Sequence, residues 1–97
     1  MLVTISHSPY LCDLAALIRS SVTPKDVIVL WADGVIAGLN NSQALYMMLQ
    51  ATPLVIYALN NDIIARGLSA YISNKIVKIS YTELVIITEK YPQQIAW

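Results

Sequence analysis

The side chains able to do chemistry are few in this chain, and several stand where an α/β fold would place a site. The stretch YALNNDIIARGL, residues 57–68, reads as the end of a buried strand, a polar turn and a short helix closed by Gly67. In open parallel sheets that junction, outside the carboxyl end of a strand, is where ligands and reactive groups usually sit. Here it supplies Asn60, Asn61 and Asp62, and no cysteine, serine or histidine nucleophile. Arg66 follows at the end of the short helix, where a cation suits the helix dipole and Gly67 can take the left-handed cap. An anion-binding role for Arg66 is open but not required.

Asp33 and Asp62 both fall at expected carboxyl ends of strands, so they share one sheet edge with His7. These are the residue types of a metal site. Both aspartates also suit the start of the helical turns that follow them, and capping is the simpler use. His7 has no nucleophile beside it in sequence and reads as a loop or interface histidine rather than a general base. Cys12 is the one soft nucleophile, near the start of the first helix, where a dipole would lower its pKa. No basic residue lies near it in sequence, and a half-buried structural thiol is the simpler reading.

Common catalytic signatures are missing. Gly34, Gly38 and Gly67 form neither GxGxxG nor a P-loop, and HExxH and GxSxG are absent. A phospho-acceptor domain would need an acidic pair after the first strand, where this chain has SHSP. One cysteine excludes an internal disulfide, a CxxC pair and a cysteine-rich zinc site within the chain, and fits a cytoplasmic setting.

The elements that must position these residues alternate. Apolar runs at 1–5, 27–31, 54–59 and 76–80 read as strands. Helical spacing marks 10–21, with Ser8-Pro9 at its start, then 42–50 with Ser42 as cap, a short helix in NDIIARG, and 81–91 with Thr82 as cap. Pro92 ends the last helix and leaves QQIAW as a tail. Strands that are apolar without alternation indicate a parallel sheet covered on both faces. The expectation is one α/β domain over 1–97, flavodoxin-like, with four or five strands and the order 2-1-3-4.

Composition points to partners. Apolar residues make up 57% of the 97 residues and charged residues 12%, against a typical charged share of about 25%. No charge occurs between Asp33 and Asp62. That run is interrupted by NNSQ, Gln50 and TP, so it is not the ~20 continuous apolar residues of a membrane span. MLVTISHSP has no basic n-region and reads as a strand rather than a signal peptide. Net charge is zero with charges spread singly, which disfavours direct nucleic-acid binding. Permanent interfaces are poor in charge, so a subunit of a stable complex is the expectation. The helix QALYMMLQ is apolar around its circumference, which marks Tyr46, Met47 and Met48 as candidate contact residues.

MLVTISHSP, the DGV after the second strand, YALNNDIIARGL, IVKISYTELVIIT and the closing AW follow one another in an order that resembles the DsrH-like family of TusB-type sulfur-relay chains. The resemblance runs nearly end to end. It implies a small DsrE/F/H-like α/β fold and assembly with TusC-like and TusD-like paralogues as a dimer of heterotrimers. It also implies relay of persulfide sulfur from a TusA-like donor to a TusE-like acceptor, for 2-thiolation of the wobble uridine of tRNA. In that family the persulfide cysteine belongs to the TusD-like paralogue, in the loop after its third strand. The corresponding loop here holds Asn60, Asn61 and Asp62, so no catalytic role transfers and no cofactor or metal is implied. Asn61, Asp62, Arg66 and Trp97 join Tyr46, Met47 and Met48 as interface candidates. The rival readings are a sulfurtransferase that carries sulfur on Cys12, and a stand-alone metal or small-ligand binder.

Overall fold

The computed structural model describes residues 1–10, 16, 26–51 and 55–97. Its strands are β1 (Leu2–Ile5), β2 (Val27–Leu30), β3 (Ile56–Leu59), β4 (Ile76–Ile79) and β5 (Gln94–Ala96). All pair in parallel in one five-stranded sheet, ordered β4-β3-β2-β1-β5. A 3-10 helix (Ala32–Gly38) and α1 (Gln43–Ala51) connect β2 to β3, α2 (Asn60–Ala65) follows β3, and α3 (Tyr81–Lys90) connects β4 to β5. The helix expected over 10–21, which contains Cys12, lies outside the described residues except for Tyr10, which is in a turn, and Ala16, which is helical.

The central strand shows why a continuous apolar run marks a parallel sheet. VIVL of β2 is buried at every position, because β1 and β3 flank it and both faces are covered. At the edge, β4 keeps Ile76 and Ile79 buried and leaves Val77 and Lys78 exposed. Alternation along the strands divides the core into two unequal parts. Val3, Ile5, Ile28, Leu30, Ile56, Ala58 and Ile76 face Val35, Ala37, Leu45, Met48 and Ile63 from the 3-10 helix, α1 and α2. On the other face Leu2, Val27, Val29 and Ile79 meet Leu84, Ile87 and Tyr91 from α3 and its end.

The strand order differs from the expected 2-1-3-4. Right-handed crossovers satisfy either order, so the sequence of elements leaves open where the winding reverses. It reverses through β5, in the segment read as a tail. QIA pairs with Leu2, Val3 and Thr4 of β1, and the Trp97 N–H continues the ladder to Thr4 O at 2.8 Å. A three-residue strand just after a proline has too little pattern to be recognised locally. Because β2→β3 and β3→β4 step one way and β4→β5 steps back, α3 falls on the opposite face from α1 and α2.

Two further corrections concern α1 and α3. The cap of α3 is Ser80 rather than Thr82: Ser80 Oγ accepts from Glu83 N–H, and Glu83 Oε1 accepts from Ser80 N–H, a reciprocal capping box. In α1, Ser42 Oγ accepts from Leu45 N–H at 3.0 Å as expected, but Met48 is fully buried in the larger core. Met48 is therefore a core residue of this chain, and the exposed apolar side of α1 is Tyr46 with half-buried Met47 and Leu49.

Candidate functional site

A parallel sheet brings every carboxyl end to one edge. That edge carries Ser6-His7 after β1, Trp31–Asp33 after β2, Asn60–Asp62 after β3, Ser80 after β4 and Trp97 after β5. The loops after β2 and β3 meet there. The Asp62 carboxylate reaches back across the edge and accepts the Ala32 N–H at 2.6 Å. Arg66, the residue that ends the same short helix, donates from Nε and Nη2 to Asp33 Oδ1 at 3.0 and 2.8 Å. Its Nη1 donates to the Asp62 carbonyl at 3.2 Å and lies 3.9 Å from the Asp62 carboxylate.

Local sequence explains this geometry. Leu59 is buried and extended, so the chain leaves β3 directly into α2 and sets Asp62 in its first turn. Gly67 adopts φ +68°, the left-handed cap expected of it, and its N–H donates to Ile64 O. On the opposite side, the Trp31 N–H donates to Ile5 O at 3.0 Å, and a Cβ at Gly34 would overlap the Ile5 carbonyl. Only glycine lets the 3-10 helix lie that close to the end of β1.

The structure thus joins Asp33, Asp62 and Arg66, which the sequence placed on one edge without connecting them. Neither aspartate caps its own helix through its side chain. Asp62 instead satisfies the first N–H of the neighbouring 3-10 helix, and Asp33 takes the guanidinium. Both carboxylates therefore face Arg66, a fixed cation. Among the described residues no three His, Cys, Asp or Glu side chains converge as a metal-ligating group. His7 is exposed on the turn after β1. Trp97 is half-buried against the larger core, and its carbonyl accepts from both the N–H and the Oγ of Ser6. Cys12 lies outside the described residues.

Sequence reasoning missed Trp31, which is 41% exposed at the meeting point of the two loops. It also missed an apolar surface on the α3 face, where Val77, Tyr81, Val85 and Ile86 are all exposed. A signal was present for the second. The segment Ser80-Tyr81-Thr82-Glu83 has the spacing of a capping box, and starting the helix there turns Val85 and Ile86 away from the stripe formed by Leu84 and Ile87.

The chain is similar to known proteins along nearly its whole length. The family model for DsrH-like proteins matches residues 7–94. The chain is 57% identical over 97 residues, all of both chains, to Protein TusB of Sodalis glossinidius (strain morsitans). It is 46% identical, again over all of both chains, to Protein TusB of Yersinia pestis (strain Pestoides F). Among solved structures, the YchN protein from E. coli superposes with a TM-score of 0.71 at 18% identity, covering 99% of this chain and 97% of that one. Protein Tm0979 from Thermotoga maritima superposes with a TM-score of 0.65 at 26% identity, covering 96% and 97%.

Proposed function

The chain belongs to the DsrH-like protein family, and we propose that it serves as a non-catalytic subunit of a sulfur-relay complex. The observation that carries this reading is the turn at the carboxyl end of β3. Its residues are Asn60, Asn61 and Asp62, and the Asp62 carboxylate is engaged by the Ala32 N–H. A transferable persulfide needs a thiolate to hold it, which neither an amide nor a carboxylate supplies. Full-length similarity to proteins named TusB supports placing the chain beside paralogues that do carry sulfur.

In this reading the chain joins TusC-like and TusD-like paralogues in the cytoplasm, two copies of each. The complex passes persulfide sulfur from a TusA-like donor to a TusE-like acceptor, toward 2-thiouridine in tRNA. The persulfide cysteine is that of the TusD-like subunit. Low charge supports permanent association. Tyr46 and Met47 on α1, Asn61 at the edge and the exposed residues of α3 are the contact candidates the structure leaves outside. Asp62 and Arg66 are held within the chain, and Trp97 is tied to β1, so these three would shape a contact rather than make its centre.

The test is reconstitution with the paralogues, donor and acceptor. Cys12→Ser is expected to leave the rate of sulfur transfer to the acceptor unchanged; loss of transfer would make this chain a sulfurtransferase and overturn the proposal. Met47→Glu is expected to reduce co-purification with the paralogues while the lone chain stays folded by circular dichroism.

A further inference from the structure

We propose that the turn after β2 is a sprung element, held in a left-handed conformation by Asp62, and that release of this clasp resets Trp31 at the carboxyl edge. Ala32 has φ +50°, a region L-residues with a Cβ enter at a steric cost. Such a conformation persists only where the surroundings over-determine it. Here the surroundings are of two kinds. Backbone fixes both sides of Ala32: Trp31 N–H is bound to Ile5 O, and Gly34 is lodged against the Ile5 carbonyl. Between them the Ala32 N–H is held by a side chain from another loop, the Asp62 carboxylate at 2.6 Å.

The side-chain part is the removable one. Asp62 in the first turn of α2 and Arg66 at its C-terminal cap lie four residues apart, and Arg66 grips Asp33, the residue after Ala32, through two N–H groups on one carboxylate oxygen. A short helix therefore holds the strained turn at two successive residues. Asp33 is more than half exposed and Arg66 nearly a third, so solvent or a partner's charged group can reach the second grip. The first grip is the better shielded, with Asp62 19% exposed. When both let go, Ala32 can return to a right-handed conformation, and the backbone that aims Trp31 outward rotates with it. This device concerns the chain by itself and stands whether or not the relay reading holds.

Exchange of the Ala32 amide, followed by NMR, and Trp31 fluorescence in a Trp97→Phe background test it. Asp62→Ala is expected to speed Ala32 exchange about tenfold or more and to shift the Trp31 emission, with little change at amides within β1 and β3. Asp62→Asn keeps an acceptor oxygen and is expected to retain most of the protection. Ala32→Gly added to Asp62→Ala is expected to restore the Trp31 emission, because glycine adopts the left-handed conformation without the steric cost, while the amide of residue 32, still without its acceptor, keeps exchanging fast. Unchanged Ala32 exchange in Asp62→Ala, acceleration of all amides alike, or no recovery of the Trp31 emission with Ala32→Gly would each overturn the proposal. Should Trp97→Phe fail to fold, fluorine NMR of 5-fluorotryptophan resolves Trp31 and Trp97 separately in the otherwise unaltered chain, with the same outcomes.

Discussion

The two faces of the sheet are made from the same strands and finished differently. On one, the 3-10 helix, α1 and α2 bring Val35, Leu45, Met48 and Ile63 onto the strands, and each of these is buried. On the other, α3 contributes no buried residue; Leu84 and Ile87 are half-covered, while Tyr81, Val85 and Ile86 are exposed. Both helical layers are apolar, but among the described residues the first alone is closed by the chain's own packing. The lesson concerns what holds a helix in place. α1 is anchored by burial and capped as well, whereas α3 depends more on its capping box and on the two ends fixed by β4 and β5. An apolar helix surface left outside is what a partner subunit would complete.

Substitutions can break this comparison. The largest effect is expected at Met48: Met48→Ala should lower the stability of the lone chain by about 2–5 kcal/mol, since it leaves a cavity in the closed core. Leu84→Ala, half-buried on the other face, should cost less than about 1.5 kcal/mol by area. Equal costs in urea titrations would mean that the two faces are closed alike. Next come the caps. Ser42→Ala and Ser80→Ala each remove one N-terminal hydrogen bond worth about 1 kcal/mol. Hydrogen exchange should separate them: the first lowers protection across the sheet, the second is confined to the first turns of α3. Smallest of all, Val85→Ser or Ile86→Ser should shift the lone chain by no more than about 0.5 kcal/mol. The same changes should weaken co-purification with the paralogues; unaltered assembly would place the contact on α1 instead.

The carboxyl edge divides in a similar way into what local sequence shows and what it hides. Gly67 as the end of α2, Ser42 as the start of α1 and the missing thiol after β3 are all legible, because each depends on neighbours within a few residues. The clasp is not. Asp62 and Ala32 are 30 positions apart, Arg66 and Asp33 are 33 apart, and no spacing rule relates them. Locally each aspartate suits the cap of its own turn, and the fold uses both across loops. Asp62 does cap a helix, but a neighbouring one.

By itself the sequence determined a parallel α/β sheet, since runs such as VIVL and IYAL are too uniformly apolar for a sheet with a wet face. It also determined that the β3 turn carries no sulfur nucleophile, which is a matter of residue identity alone. Tertiary structure decided the strand order, because right-handed crossovers permit the winding to reverse at more than one place and a short β5 made the choice. It decided which side of an all-apolar α1 is core, placing Met48 inside and Tyr46 outside, where periodicity offered no preference. It also brought Asp62 to Ala32 and Arg66 to Asp33, because contacts between loops exist only once the strands beneath them are aligned.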